Sequence, residues 1–272
     1  MMINFYKMQG LGNDFVIIDN RTKLLNLSYE QIIKICDRKF GIGCDQLIIL
    51  EPTKTDADVL MIIYNQDGSK ALACGNANRC VGKLLATQLN KKTIQIINQA
   101  NDVFIVDVEN DNSIKSTLPA PKFKWNQIPL ANEVNNEYII FEDIPNLPKG
   151  FYVNVGNPHI IFFVENIQTF NIEYYGKIIE SHKIFPERVN VNFAQIINDR
   201  TVDLITYERG VGITLACGTG ACATAVSAIK HKLLKNDLII RMKGGDLKIN
   251  WYNNEIEMIG NAGFVFTGQI EI

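Results

Sequence analysis

The chain holds 272 residues, 47 % hydrophobic and 21 % charged, a composition that can bury a core and excludes intrinsic disorder. Twenty-seven Lys and Arg against 29 Asp and Glu give a formal net charge of −2, with no basic surplus to coat a phosphate backbone, so no nucleic-acid partner is expected. Apolar runs such as Ile160-Ile161-Phe162-Phe163-Val164 are strand-length and none reaches the roughly 18 residues of a membrane span, so no membrane partner is expected either. Met1 to Gly10 lacks the basic stretch and apolar core of a signal peptide, which predicts a cytoplasmic protein whose six cysteines are thiols.

In chain order, Phe5 to Met8 and Phe15 to Asp19 read as strands around a glycine-rich turn. Ser28 with Gln31 three residues later has the form of a capping box and opens a helix predicted to end near Arg38. Strands follow at Leu47–Leu50, Val59–Tyr64, Ile94–Ile97, Val103–Val108 and Ile114–Leu118. Leu118 to Pro129, with three prolines and few apolar residues, is the linker candidate. Beyond it the order replays, with strands near Tyr138–Phe141, Tyr152–Val155 and Ile160–Val164, a helix around Ile172–His182, and strands at Val189–Ile197, Val202–Tyr207 and from Leu238 onward. Gly75 to Leu89 and Gly218 to Leu234 read as helices, the second small or apolar on every face and therefore buried.

The replay is also legible residue by residue. Leu72-Ala73-Cys74-Gly75 recurs as Leu215-Ala216-Cys217-Gly218, an offset of 143 from Cys74 to Cys217. Tyr64 and Tyr207 each stand ten residues before those cysteines. Gly12-Asn13-Asp14-Phe15 resembles Gly156-Asn157-Pro158-His159, and Gln46 pairs with Asn190, both at an offset of 144. Four anchors in order at nearly one offset indicate a duplicated domain. The predicted class is α+β, internally duplicated, with two similar strand-rich domains each wrapped around a central helix and the active site in the cleft between them. The expected division is residues 1–118, with 263–272 returning to them, and residues 119–262.

Each central helix would carry a cysteine at its N-terminus, Cys74 and Cys217. There the positive end of the helix dipole and unpaired backbone N–H groups favour a thiolate, and the same N–H groups bind a carboxylate. One sulfur on each side of a carbon next to a carboxylate can invert it: one thiolate removes the α-proton while the opposite thiol delivers another. Cys36, Cys44, Cys80 and Cys222 read instead as small buried hydrophobes. The spacings Cys74-x5-Cys80 and Cys217-x4-Cys222 fit neither zinc knuckles nor thioredoxin-like pairs, so no metal is expected. His159 taken alone is a packed core histidine, but its place in the repeated Gly-Asn element marks it as a candidate. Glu208 and Arg209 sit between a strand end and the Cys217 loop, where binding residues gather. His182 and His231, in helical polar contexts, are expected to face solvent.

The motifs Gly43-Cys44-Asp45-Gln46, Cys74-Gly75-Asn76, Gly156-Asn157-Pro158-His159, Pro186-Glu187-Arg188-Val189-Asn190, Glu208-Arg209-Gly210 and Ala216-Cys217-Gly218-Thr219-Gly220-Ala221-Cys222 closely resemble those of the diaminopimelate epimerase family. These are cofactor-independent enzymes of bacterial lysine and cell-wall precursor synthesis. The resemblance implies no cofactor, LL- and meso-diaminopimelate as substrates, and a homodimer. It implies Cys74 and Cys217 as the acid/base pair, with His159 and Glu208 tuning them or holding the α-amino group. It further implies that Gly75, Asn76, Gly218 and Thr219 grip the α-carboxylate, and that Asn13, Gln46, Asn65, Asn157, Asn190 and Arg209 hold the rest of the substrate. The chain departs from the family at Ala77, where Gly is usual, and at Ile213, Ile259 and Asn261. Two other readings stand beside this one. A proline or hydroxyproline racemase of similar fold has no distal carboxylate to anchor, against which Arg209 and the asparagine set argue. The other is a non-catalytic binding or thiol redox protein of the same duplicated fold, against which the presence of both cysteines together with His159 and Glu208 argues in favour of catalysis.

Overall fold

The computed structural model describes residues 2–22, 25–71, 74–110 and 113–272. They fall into two units, one running to Thr117 and taking up Ile259–Ile272, the other Leu118–Met258. Leu72 and Ala73 of the repeated tetrapeptide lie outside the described residues.

In the first unit, β1 (Met2–Gly10) and β2 (Asn13–Asp19) form an antiparallel hairpin across Leu11 and Gly12, both at positive φ. Helix α1 (Tyr29–Cys36) begins with the expected capping box at Ser28 and Gln31. It stops at Cys36 rather than near Arg38 because Asp37 is extended and its carboxylate accepts the N–H groups of Lys39 and Phe40, closing a turn instead. Strand β3 (Gln46–Glu51) lies parallel to β2, with Phe15 opposite Gln46, and β4 (Val59–Asn65) is antiparallel to β3, with Gln46 opposite Asn65. After the short β5 (Lys70–Ala71) comes α2 (Gly75–Leu89), then β6 (Thr93–Ile97), β7 (Val103–Asn110) and β8 (Ser113–Leu118).

The continuous apolar run of β2 follows from burial on both faces. Phe15 and Ile17 join Ala77, Cys80, Val81 and Leu85 of α2 in one cluster. Val16 and Ile18 join Ile32, Ile35 and Cys36 of α1 in another. Each Phe, Ile, Leu and Val among them contributes about 1.5–3 kcal/mol by leaving water. The first eight residues of α2 are all buried. Cys36, Cys44, Cys80 and Cys222 are buried as their sequence context suggests.

In the second unit, β9 (Tyr138–Ile139) and β11 (Pro158–Phe163) flank β10 (Gly150–Asn154). Helix α3 (Ile172–Glu180) leads to β12 (Asn190–Ile196), parallel to β11 with His159 opposite Asn190. Strand β13 (Thr201–Glu208) is antiparallel to β12, and β14 (Gly212–Ile213) turns back on it. Helix α4 (Gly218–Lys230) is buried from Gly218 to Ala228. It is followed by β15 (Leu238–Met242), β16 (Gly245–Tyr252) and β17 (Glu255–Gly260). The chain ends in β18 (Gly263–Glu271), which pairs with β1 in the first unit from Met2 opposite Glu271 onward.

Three local expectations are corrected. The 118–129 segment is no loose linker: Lys122 exchanges both backbone hydrogen bonds with Asn154, Trp125–Gln127 makes a 3-10 turn, and Ile128 is buried. Helix α4 ends at Lys230, four residues short of Leu234, because Lys232 takes positive φ. His182 and His231 do not face solvent. The His182 ring meets Phe141 edge-on at 5.0 Å while its Nε2 pairs with Asp143, and His231 lies 4.0 Å from the Phe151 ring.

Candidate functional site

Cys74 is the N-cap of α2, held extended at φ −146° and ψ 108°. It is half-buried, and Asn13 Nδ2 donates to its sulfur at 3.7 Å. Gly75 and Asn76 form the buried first turn behind it. Asn76 Oδ1 accepts from Arg79 Nη2 at 2.7 Å. Arg79 is wholly buried, and its Nη1 and Nε also donate to the carbonyls of Gly75 and Asn261, each at 3.3 Å. Helical side chains lean toward the N-terminus, which brings this guanidinium back to the first turn. Its charge adds to the positive helix end, so this corner favours a thiolate and a bound carboxylate. Ala77 lies in an ordinary helical turn with no positive φ, so the departure from glycine carries no backbone strain.

A second pair of the same unit comes from β3 and β4. Gln46 Nε2 donates to Asn65 Oδ1 and Asn65 Nδ2 donates to Ser69 Oγ, both at 3.0 Å. Gln46 Oε1 is buried with no hydrogen-bond partner among the described residues. An orphaned buried acceptor costs about 1–3 kcal/mol, which a ligand N–H would remove.

In the second unit, Cys217 is the N-cap of α4, extended at φ −122° and ψ 107° and almost wholly buried. Its sulfur accepts from the Gly220 amide at 3.3 Å and lies 3.5 Å from Thr219 Oγ1. An amide aimed at sulfur from a helix N-terminus favours the thiolate. Gly218 and Thr219 form the first turn, where backbone N–H groups can receive an anion.

Glu208 closes β13, and its Oε1 accepts from Thr214 Oγ1 at 2.5 Å. Arg209 is exposed, and both its ends are fixed: its amide donates to Asn190 Oδ1 and its Nη1 to the Glu187 carbonyl, each at 3.0 Å. Asn190 completes the link by donating to the Pro158 carbonyl at 2.9 Å. His159 is fully buried between two asparagines, its Nε2 2.9 Å from Asn157 Oδ1 and its Nδ1 3.0 Å from Asn192 Nδ2. Burial, and then the Arg209 charge, push its pKa down to about 3, so the ring is neutral at pH 7.

The structure thus gathers Asn13 with Cys74, Gln46 with Asn65, Asn157 with His159, and Asn190 with Arg209. Sequence reasoning missed three side chains that hold these groups: Arg79, Asn192 and Glu180. Glu180 ends α3, is buried, and accepts the Gly210 amide at 2.6 Å, fixing the loop that carries Glu208 and Arg209. All three are polar residues of helices or strands, Glu180 at the last position of α3, and no repeat or glycine turn in the sequence marks them. Among the described residues no group of three His, Cys, Asp or Glu is placed to hold a metal ion, and no helix is long and apolar enough to cross a membrane.

The chain is similar along its length to known proteins. A curated diaminopimelate epimerase of Sphingopyxis alaskensis is 43 % identical over 276 residues, covering 100 % of this chain and 98 % of that one. One of Pelagibacter ubique is 43 % identical over 265 residues, covering 96 % of both. Among solved structures, a PhzF-family phenazine biosynthesis protein of Bacillus anthracis superposes with a TM-score of 0.70 at 16 % identity, covering 100 % of both chains. A hydroxyproline epimerase of Agrobacterium vitis, with bound trans-4-hydroxy-L-proline, gives 0.70 at 14 % identity over 99 % of this chain and 92 % of that one. At such identities the structures establish the fold alone, a strand-rich α+β fold shared with these proteins. The sequence model of diaminopimelate epimerase matches residues 5–123 and 151–265; with full-length relatives above 40 % identity, the chain belongs to the diaminopimelate epimerase family.

Proposed function

We propose that the protein is a cofactor-independent isomerase that interconverts LL- and meso-diaminopimelate by moving a proton at one α-carbon, in the service of lysine and peptidoglycan precursor synthesis. The observation that carries this reading is the paired N-cap thiols, Cys74 on α2 and Cys217 on α4, in a chain of this family. In the forward step one thiolate takes the α-proton and becomes a thiol. The electron pair passes into the carboxylate, which gains enediolate character, and the other thiol returns a proton to the opposite face as it becomes the thiolate. The backbone N–H groups of Gly75, Gly218 and Thr219, with the Asn76 side chain, meet that carboxylate as its charge grows. Glu208 supports the thiols or the α-amino group, and His159, its two ring nitrogens taken by Asn157 and Asn192, acts through Asn157.

The far end of the substrate carries an ammonium and a carboxylate. Gln46 Oε1, buried without a partner, suits the ammonium, and Asn65 stands beside it. Arg209 suits the carboxylate through a planar two-pronged contact. Asn13, Asn157 and Asn190 complete the set.

We further read the chain as a duplication of residues 1–118, rejoined by 263–272, in residues 119–262, each half built around its buried helix. Matching registers support this: Phe15 faces Gln46 as His159 faces Asn190, and Leu47 faces Tyr64 as Val191 faces Tyr207. Family membership also supports a cytoplasmic homodimer. The test is to incubate the purified protein with LL-diaminopimelate and follow the meso form by chiral chromatography. Approach to a stable mixture from either isomer is the expected result. No interconversion, or turnover of proline in its place, overturns the reading.

A further inference from the structure

We propose that Asn192 is a positioning residue that fixes the His159 ring with its proton on Nε2, and so turns the Asn157 amide to leave its Nδ2 donor for the substrate. The inference rests on the epimerase reading for its last clause only. The Asn192 amide nitrogen faces three acceptors, the Ile160 carbonyl at 3.1 Å, His159 Nδ1 at 3.0 Å and, more distantly, the Asn190 carbonyl at 3.5 Å. A carbonyl oxygen can only accept, so the amide nitrogen must point that way, and Nδ1 then receives a hydrogen bond and carries no proton. On the far side, Asn192 Oδ1 accepts from Thr206 Oγ1 at 2.9 Å, which holds the same orientation. The neutral ring therefore bears its proton on Nε2, and Nε2 donates to Asn157 Oδ1 at 2.9 Å. With its oxygen occupied, Asn157 offers its NH2 group.

The first unit supplies an internal comparison. At the registers where β11, β12 and β13 place His159, Asn192 and Thr206, strands β2, β3 and β4 place Phe15, Ile48 and Ile63. All three are core residues of the first unit, and the helix packed on them carries Ala77. An apolar filling is thus available at these positions. A buried imidazole, amide and hydroxyl each lose hydration and must recover it in hydrogen bonds. They also constrain α4: a Cβ on Gly220 would lie 2.6 Å from Asn192 Oδ1 and 2.8 Å from Thr206 Oγ1. The second unit carries a polar chain where packing alone is served by Phe and Ile, which assigns the chain to orientation of His159 and Asn157.

The experiment is nitrogen-15 NMR of the whole protein labelled at histidine. Only His159, His182 and His231 contribute, and His159→Gln identifies the His159 signals by their loss. At pH 7 the wild-type ring is expected to show a bare Nδ1 and a proton on Nε2. Asn192→Asp replaces the donor by an acceptor and should put a proton on Nδ1, while KM for LL-diaminopimelate rises about tenfold with a smaller change in kcat. Thr206→Val tests the same point in a milder variant, loosening an amide that the Ile160 carbonyl still holds, so that a minor Nδ1–H population joins the wild-type form, whereas Thr206→Ser keeps the hydroxyl and the wild-type spectrum. A wild-type proton on Nδ1, or the wild-type pattern retained in both Asn192→Asp and Thr206→Val, overturns the proposal. The ring is read without substrate. A protein that shows the switch yet fails to convert LL-diaminopimelate refutes the epimerase reading and upholds the imidazole assignment.

Discussion

Asp14 lies between two cations, bonded to the buried Lys7 and to Arg38 at 2.5 Å. Burial alone would raise its carboxyl, but the hydrogen bonds from Arg38 and Lys7 outweigh burial and hold it at about 2 against an ordinary 3.8. A depressed folded-state pKa stabilises the protein above the unfolded value, and that stability is lost as pH falls from about 4 through 2. Asp45, raised by burial, acts in the opposite sense, so the effect is to be read by difference. Urea unfolding at a series of pH values should find wild type losing more stability than Asp14→Asn between pH 5 and 2; parallel curves would refute the assignment. Asp14→Asn should also be weaker at pH 7, because Lys7 is left buried beside a neutral amide. Arg209 yields a second test. Lysine keeps the charge but lacks the planar fork, so Arg209→Lys should lose about 2 kcal/mol or more in kcat/KM for diaminopimelate. Equal efficiency would remove Arg209 from the far carboxylate. Residues at element boundaries, such as Cys74, Asn157 and Arg209, could be singled out from sequence because a repeat and a glycine or asparagine turn mark them. Asn192 could not. In the run Asn190-Val191-Asn192-Phe193 the alternation mimics a strand with one wet face, yet all four residues are buried, because β12 is covered on both sides, by α3 and α4.

At the scale of elements, α2 and α4 show how a helix end is fitted to its site. Both start at the predicted glycine, since a cysteine N-cap followed by small residues suits burial of the whole first turn. Their distal ends were less legible. Left-handed Asn90 stops α2 where expected, but α4 stops early at a lysine turn that no glycine or proline announces. The third residue of each helix, Ala77 and Gly220, separates two opposing preferences. Propensity favours alanine over glycine by about 1 kcal/mol in a helix. At Gly220 the added Cβ would drive into Asn192 and Thr206, and overpacking of a rigid interior costs about 1–3 kcal/mol. Gly220→Ala should therefore lower stability in urea unfolding in spite of its propensity, and Ala77→Gly should lower it by about 1 kcal/mol or more, through propensity together with the loss of a buried methyl. A stabilised Gly220→Ala protein would show that the contacts around Asn192 yield easily, and would weaken the case for a fixed amide there.

At the scale of the whole molecule, the recurrence of Leu-Ala-Cys-Gly in the sequence is what makes the chemistry readable, since Cys74 and Cys217 are each the N-cap of a helix whose first turns are buried. The proposed division of labour has a stereochemical signature. A thiol exchanges its proton with solvent, so in deuterium oxide the donor carries deuterium before substrate arrives. Starting from LL- or meso-diaminopimelate, the first inverted product should contain deuterium at the α-carbon while remaining substrate stays unlabelled. One base serving both faces would return much of the hydrogen it had captured, and early product would be largely unlabelled. Single variants divide the reaction further. In Cys74→Ala the Cys217 thiolate keeps its own face, so one stereoisomer should exchange its α-proton without inverting. Cys217→Ala should exchange only the other. The loss of inversion should amount to several powers of ten, since general acid–base assistance by a single positioned group contributes roughly 10²–10⁴-fold. Proton NMR of the α-position in deuterium oxide, run beside chiral separation, reads exchange and inversion in the same sample. Inversion at near wild-type rate by either variant, or exchange of the same isomer by both, would leave the two cysteines without separate faces and would end the two-base account.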